Sequence, residues 1–149
     1  MIENIKMKGK FFIYLYGPNG DLKHHHVGTN VVTTVGKEFL ASFLYSAAVA
    51  ASTFTCKYIA IGTGTTAEAV GDTALGTESA RQTGTASYIS GQIYQVTATF
   101  AAGTGTGAIT EYGLLSSSSA GTLLARDVEA VVNKGASDTL TVVYQLTAS

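Results

Sequence analysis

The stretch IAIGTGTTAEAVGDTALGTESAR, from Ile59 to Arg81, is the part of the sequence that decides the fold. Gly62 and Gly64 end its opening apolar run, which predicts a strand over Lys57–Ile61. The remainder, Thr65–Thr83, is rich in alanine, glycine and threonine and predicts a long connection. We therefore expect short strands that end at glycine turns, with one unusually long connection among them.

Outside this stretch, short apolar segments alternate with turn residues along most of the chain. Lys10–Tyr16 and Leu22–Val27 flank Gly17-Pro18-Asn19-Gly20, which predicts a hairpin. The further predicted strands are Thr85–Ile89, Gln92–Phe100, Gly107–Leu115, Gly121–Val128 and Thr139–Thr147. Many short strands separated by turns predict a mainly β protein, either an antiparallel β-sandwich or a jelly-roll-like domain.

One segment has the periodicity of a helix. Within Val35–Val49 the apolar residues recur at spacings of three and four, which predicts one amphipathic helix over about residues 35–49. These apolar residues are Phe39, Leu40, Phe43, Leu44 and Ala47. Thr33 or Thr34 is expected to begin the helix, because a hydroxyl oxygen can accept a hydrogen bond from an amide of the first turn.

A chain of 149 residues has the length of one domain. We expect a single domain over residues 11–149, preceded by an N-terminal arm over residues 1–10. Within the arm Lys6, Lys8 and Lys10 alternate with apolar or small residues, which predicts the solvated side of an edge strand. An extended end of this kind can add to the exposed sheet edge of a neighbouring subunit.

Charged residues make up only 13% of the chain, against roughly 25% in an ordinary soluble protein. A formal net charge of -1 and a largely uncharged surface favour association, as expected of a subunit that lies against neighbours. Nine Lys and Arg are offset by ten Asp and Glu, so we expect no nucleic-acid partner. Phe39–Ala51 is shorter than the roughly 20 residues of a membrane span, and no signal segment is apparent at the start, so we expect no membrane partner.

Cys56 is the one cysteine, which excludes an intrachain disulfide. Its position in TFTCKYIAIG predicts a small apolar residue at the start of a strand, with a reactive thiol as the alternative. Stability is then expected to come from packing and assembly. Such a chain suits synthesis in a reducing compartment.

His24-His25-His26 is a run of three adjacent histidines. Successive side chains of a strand point to opposite faces, so only His24 and His26 share one. Two imidazoles could join a ligand from a symmetry mate and bind a divalent metal at an oligomer axis. The alternative is a polar strand face near a turn, and no cofactor is expected.

Four charged residues lie at the edges of apolar strands: Glu78, Arg81, Glu111 and Arg126. Pairs of carboxylate and guanidinium groups would fasten the long connection to the sheet, and bidentate geometry would give such pairs direction. Pairing between subunits is the alternative use of the same residues.

No catalytic cluster is evident, and the sequence does not predict an enzyme. Glu78 and Glu111 could be the acid and base of a glycosidase, but the chain has no Trp, and sugar-binding aromatic residues are sparse near both acids. Ser116–Ser119 lie in a low-complexity turn, far in sequence from the histidines. Gly62–Thr66 lacks the lysine of a phosphate-binding loop, so turn glycines are expected there.

The order of these segments resembles that of tailed-bacteriophage structural proteins. The parts that carry the resemblance are Ile61–Thr66, Asp72–Leu75, Glu78–Arg81, Ile93–Phe100, Glu111–Leu114 and Leu123–Arg126. The pattern is similar to that of head decoration (cement) proteins and of tail- or fibre-associated proteins. The resemblance implies a virion structural protein, with first choice a decoration subunit that binds the outer surface of the major capsid shell and stabilises it.

The same resemblance implies a homo-oligomer, for example a trimer, made in the host bacterial cytoplasm and located in the phage particle. Two alternatives stay open. The first is a tail- or fibre-associated component, such as an adaptor or a baseplate part. The second is a virion-borne module that binds glycans or the host surface. The sequence has no Trp and no collagen-like or coiled-coil fibre segment, which slightly favours the head.

Overall fold

The computed structural model describes residues 6–45 and 56–149, with side chains for 6–42 and 56–149. Within these residues the chain forms nine strands and one helix. The strands are β1 Met7–Tyr16, β2 Leu22–Val32, β3 Tyr58–Gly62, β4 Glu78–Thr83, β5 Thr85–Ser90, β6 Ile93–Phe100, β7 Gly107–Leu115, β8 Leu123–Lys134 and β9 Thr139–Ala148, and the helix is α1 Thr34–Tyr45. The predicted mainly β fold with a single helix is confirmed.

The strands follow one another in space in the order β4-β3-β7-β8-β2-β1-β9-β6-β5, and all neighbouring strands are antiparallel. The joint in the middle is short, because β2 and β8 pair only through Val31 with Arg126 and Val32 with Ala125. We call β2-β1-β9-β6-β5 sheet 1 and β4-β3-β7-β8 sheet 2. The two sheets form the layers of a sandwich-like domain.

The main core lies between the two sheets. Phe11 of β1 contacts Tyr144 of β9 with ring centroids 4.8 Å apart, and it reaches Tyr112 of β7 in the opposite sheet at 6.1 Å. Other fully buried side chains of this core include Ile13, Ile59, Ile61, Phe100, Ile109 and Leu114. Each such side chain contributes about 1.5–3 kcal/mol on burial, so this interior is the main source of stability.

Helix α1 begins where the sequence predicts. The Oγ1 atom of Thr33 accepts a hydrogen bond from the amide of Gly36 at 2.9 Å and donates one to the carbonyl of Leu123 at 2.5 Å. One buried hydroxyl therefore caps the helix and ties its start to β8. Gly36 allows this close packing, because a Cβ there would lie 2.7 Å from the carbonyl oxygen of Leu124. The predicted helix extends to Val49, but residues 46–49 lie outside the described residues.

Strand β1 is a central strand, so the prediction of an edge strand near the N-terminus was wrong. It lies between β2 and β9, and Gly9 pairs with Asn30 on one side and with Leu146 on the other. Met7–Lys10, which the sequence assigns to an arm, form the first four residues of this strand, while residues 1–5 lie outside the described residues. The cause is the long-range pairing with β9, which a local lysine pattern does not indicate.

The long connection is shorter than predicted. Thr65–Thr83 was expected to contain no strand, but β4 occupies Glu78–Thr83 and pairs with β3. The sequence of this strand, ESARQT, is polar, as is common for edge strands. For this reason the sequence did not predict a strand here. From here on, "the long connection" means residues 63–77, which join β3 to β4.

Gly84 alone separates β4 from β5 and therefore joins the two outermost strands of the fold. Its amide donates a hydrogen bond to the carbonyl of Lys57 at 2.6 Å. A Cβ on Gly84 would collide with the side chain of Val96 and lie 2.9 Å from the carbonyl oxygen of Lys57 and 3.0 Å from that of Thr97. The chain passes so close to its neighbours here that a side chain has no room.

Gly84→Ala is expected to lower the free energy of unfolding by about 1–3 kcal/mol, the usual cost of adding atoms to a well-packed site. Two of the atoms in the way are backbone oxygens, which a side-chain rotation cannot move. Thermal unfolding followed by circular dichroism measures the effect. Gly71→Ala is the control, because a Cβ there would meet nothing within 4 Å. Equal melting temperatures for the two variants would contradict the prediction.

Candidate functional site

Glu111 and Arg126 form a buried ion pair on the outer face of sheet 2, beneath the long connection. The Nε and Nη2 atoms of Arg126 donate to Oε2 of Glu111 at 3.1 and 2.9 Å. The side chain of Glu111 is 0% exposed and that of Arg126 is 3% exposed. Arg126 of β8 pairs in register with Gly113 of β7, and Glu111 lies two residues before Gly113 on the same face. The sheet thus brings together two of the four charged residues singled out by the sequence.

The carboxylate of Glu111 also holds both ends of the long connection. The amides of Gly64, Gly76 and Thr77 donate to its two oxygens at 3.0, 2.8 and 2.6 Å. A Cβ on Gly64 would lie 2.5 Å from Oε1 of Glu111. Glycine is therefore required at this position for the backbone to come within hydrogen-bonding distance.

Arg126 extends the network to the middle of the connection. Its Nη1 atom donates to Oδ2 of Asp72 at 2.8 Å, and its Nη2 atom donates to the carbonyl of Thr66 at 3.0 Å. The same Asp72 oxygen accepts a hydrogen bond from the amide of Ala69 at 2.8 Å. Leu75 completes the attachment by packing on an apolar cluster of the outer face that comprises Ala60, Leu115 and Leu123.

The three charged groups of this network are held in their ionised forms. Burial opposes ionisation of Glu111, but hydrogen bonds from Thr77, Gly76, Arg126 and Gly64 outweigh it and lower its pKa. The pKa of Asp72 is lowered in the same way, since hydrogen bonds from Ala69 and Arg126 outweigh the effect of burial. Burial also opposes the charge on Arg126, but Asp72 and Glu111 raise its pKa. Fixed charges of this kind support a structure and are poorly suited to proton transfer.

Glu78 and Arg81 form the second pair, on β4. The Nε and Nη2 atoms of Arg81 donate to the two carboxylate oxygens of Glu78 at 2.8 and 2.7 Å, which is bidentate geometry. The Nη1 atom of Arg81 donates to the carbonyls of Ser117 and Ala120, both at 2.8 Å. The pair therefore fastens the serine-rich turn between β7 and β8 to the edge of sheet 2.

A β-bulge brings this second pair together. Ala80 pairs with Ile61, and the next pair joins Glu78 to Gly62, so β4 contains one residue more than β3 between these two pairs. Residues three apart in a regular strand point to opposite faces. The extra residue turns the two charged side chains to the same side.

The positions of Glu78 and Glu111 bear on the glycosidase alternative. The two residues flank Gly62 of β3, which pairs with Glu78 on one side and Glu111 on the other. Each carboxylate is engaged by an arginine, and Glu111 is closed off from solvent. This arrangement gives no support to an acid and base pair acting on a sugar.

His24 and His26 share the inner face of β2, as the strand alternation predicts, and their ring centroids are 6.1 Å apart. His25 points to the other face and stacks on Tyr14 at 4.6 Å. The Nε2 atom of His26 lies 3.0 Å from Oε2 of Glu129. Among the residues that the structure describes, no group of three or more His, Cys, Asp or Glu could hold a metal ion. A metal at His24 and His26 would therefore need ligands from outside the described residues, such as another subunit.

Cys56 is buried, and burial raises the pKa of its thiol to about 12. Its carbonyl accepts a hydrogen bond from the hydroxyl of Tyr94 at 2.6 Å. A thiol that is neutral at physiological pH is a poor nucleophile, so the packing role expected from the sequence fits its surroundings better than a reactive role.

The sequence reasoning missed a buried lysine. Nζ of Lys134 donates to the carbonyls of Ala101 at 3.0 Å and Asp138 at 2.8 Å, and burial lowers the pKa of Lys134. The carboxylate of Asp138 pairs instead with Lys23 of β2 at 2.9 Å. The sequence signal was available, because Lys134 follows Val132 at a spacing of two and so continues the buried face of β8.

No protein-family model, curated protein or solved structure significantly matches the chain. Within residues 6–45 and 56–149 there is no helix of sufficient length and apolar character to cross a membrane. The fold and the site together define a β-sandwich-like domain whose buried charges hold a long surface connection in place.

Proposed function

We propose that the protein is a structural subunit of a tailed-bacteriophage particle and that it decorates the outer surface of the capsid. The observation that carries this proposal is that the outer face of sheet 2 is covered by another part of the chain, whereas the outer face of sheet 1 is exposed. The outer face of sheet 2 lies beneath the long connection, with Leu75 packed against it. The outward side chains of β1, β9 and β6 in sheet 1 are all at least partly exposed in the described part of the chain.

We call the outer surface of β2, β1, β9 and β6 the open face. Phe12 of β1 lies at its centre, paired with Val27 on one side and Val143 on the other. Uncharged polar side chains bond across the strands, with Gln145 donating to Gln95 at 2.7 Å and the hydroxyls of Thr99 and Thr141 3.2 Å apart. Aromatic residues are typical of the centre of a protein interface.

The buried ion pairs also support an assembly role. The long connection is held in place by the paired charges of Glu111, Arg126 and Asp72. Because these charges are paired, they add little charge to the surface of an already charge-poor chain. A rigid, preformed face loses little conformational entropy on binding. Several copies bound around a symmetry axis would turn weak single contacts into a tight collective hold on the capsid proteins. Such a shell would resist the pressure of packaged DNA.

Gold-labelled antibody against this chain, imaged on the parent virions, tests the proposal. Dense label over the heads is the expected result. Label confined to the tail would replace decoration by the tail- or fibre-associated alternative. Retention of the free protein on host cells or polysaccharide, without any particle present, would favour the virion-borne glycan-binding module. Virions without label would overturn the proposal.

Val143→Lys is expected to reduce occupancy on preformed capsids by about tenfold or more, because it places a charge at the centre of the open face. Val131→Lys makes the same change at an exposed valine of β8 and is expected to bind like the wild type. Bound copies are counted by gel densitometry of purified capsids, after unchanged melting temperatures show that both variants are folded. Equal occupancy for the two variants would remove the open face from the proposal.

A further inference from the structure

The seam between β2 and β8, where sheet 1 and sheet 2 separate, contains a buried carboxyl group that the ion-pair networks do not use. Asp127 of β8 pairs in register with Tyr112 of β7, so both side chains face the interior. Asp127 is 1% exposed, and among the described residues no N–H or O–H group donates a hydrogen bond to either of its side-chain oxygens. The hydroxyl of Tyr112 is likewise buried without a partner there. A buried carboxylate that accepts no hydrogen bond is strongly unfavourable.

A second carboxyl group occupies the same space. A Cβ on Gly28 of β2 would collide with Oδ2 of Asp127, and it would lie 2.5 Å from Oε1 of Glu129. Both groups therefore crowd over one glycine, and the absence of a side chain at Gly28 gives them room. Asp127 is buried, whereas the side chain of Glu129 is 25% exposed. Two carboxyl groups this close, one of them buried, repel each other strongly if both ionise.

We propose that Asp127 and Glu129 share one proton in this space, and that release of the proton loosens the seam between the two sheets. While the proton is shared, the seam is closed and Asp127 is neutral. The O–H of Asp127 donates to an oxygen of Glu129, so the pair carries one negative charge. On release the proton passes to water or hydroxide, and the pair carries two negative charges. The doubly charged pair requires water, and the strand above it, β2, is joined to β8 by only two residue pairs. The shared proton would act in the subunit whether or not it is bound to a particle.

The groups that face the pair come from three other parts of the chain. His26 of β2 lies 3.0 Å from Glu129, Glu68 of the long connection adds negative charge, and Tyr112 of β7 supplies its hydroxyl. Burial, followed by repulsion from Glu129 and Glu68, raises the pKa of Asp127 to about 8. Burial, followed by the nearby charges of Asp127 and Glu129, raises the pKa of Tyr112. Its hydroxyl therefore stays neutral and cannot supply a compensating charge.

The direction of the pH effect follows from the raised pKa of Asp127. The folded protein keeps a proton that the unfolded chain loses near its ordinary value of 3.8. The stability from this group is complete below that value and is lost as the pH rises towards about 8. Glu111 and Asp72 affect stability in a separate, acidic range of pH. Their pKa values are lowered, so their contribution to the stability of the fold is lost only as the pH falls.

Asp127→Asn tests the shared proton, because the amide can still donate to Glu129 but does not titrate in this range. Thermal unfolding of both proteins is compared from about pH 5 to about pH 8. Relative to the variant, the folding equilibrium constant of the wild type is expected to fall by up to about tenfold for each pH unit. Asp21→Asn, at an exposed carboxylate in the turn between β1 and β2, controls for the loss of one charge and is expected to follow the wild type.

Amide hydrogen exchange at Val31 and Val32 reports on the seam itself, since these residues form its two pairs with β8. At matched alkaline pH the wild type is expected to be less protected there than Asp127→Asn. Parallel pH curves for the two proteins, with equal protection at the seam, would overturn the proposal.

Two further measurements keep the test decisive. If Asp127→Asn does not fold, the carboxyl ¹³C shift of Asp127 in the wild type replaces it. A midpoint near 8 supports the shared proton, and an ordinary aspartate midpoint overturns it. The second measurement is the melting temperature of the purified protein after addition of calcium or zinc chloride. A rise in wild-type melting temperature that Asp127→Asn abolishes would overturn the shared proton and assign the space to a metal ion.

Discussion

Arg126→Ala is expected to lower the free energy of unfolding by about 3–5 kcal/mol, because it leaves Glu111 buried and charged without its cationic partner. The same change removes the donors to Asp72 and to the carbonyl of Thr66, which releases the middle of the long connection. A typical domain is stable by roughly 5–15 kcal/mol, so this loss is a large fraction of the total. Urea unfolding followed by circular dichroism or tyrosine fluorescence measures it, since the chain has no Trp.

Two companion variants separate charge from geometry. Arg126→Lys keeps the charge but loses the fork of donors, so an intermediate loss is expected. Arg126→Met combined with Glu111→Gln removes both charges and is expected to cost less than Arg126→Ala alone, because no buried charge is left unpaired. An Arg126→Ala protein that unfolds like the wild type but no longer assembles would contradict the internal role and place the pair at an interface between subunits.

Deletion of residues 1–10 is expected to destabilise the fold by several kcal/mol. Met7–Lys10 pair with β9, and Gly9 and Lys10 also pair with β2. Each lost hydrogen bond costs about 0.5–1.5 kcal/mol. Met7 also packs against the main core. The sequence pattern predicts the opposite, a folded protein that has lost only its attachment to a neighbour. Thermal unfolding by circular dichroism distinguishes the two outcomes.

A protein that starts at Lys6 after an initiating Met is the matched control. It keeps every described pair of β1 and the reciprocal backbone hydrogen bonds between Lys6 and Ser149, at 2.6 and 2.8 Å. We expect it to melt like the wild type. If the longer deletion also melts like the wild type, the central position of β1 contributes far less than the pairing implies.

Local sequence patterns predicted most of the elements and part of the candidate site. Alternation and turn residues identify strands because one face of a strand is buried and the chain must reverse between strands. Thr33 was predicted as the helix start because capping depends on a hydroxyl next to the first turn. Glu111 and Arg126 were singled out because charge at the edge of an apolar strand needs a partner. Asp72, the third member of their network, was missed as a charged partner because it belongs to a connection without periodicity.

By itself, the sequence determined the β class, the helix start and the residue types available for ion pairs, because these depend on neighbours within a few positions along the chain. Only the tertiary structure decided that β1 is central, that Gly84 joins the two outermost strands, and that Asp127 and Glu129 meet over Gly28. Each of these depends on pairing or close approach between residues far apart in sequence. The free energy of such contacts depends on how the whole interior packs, and no local pattern contains that information.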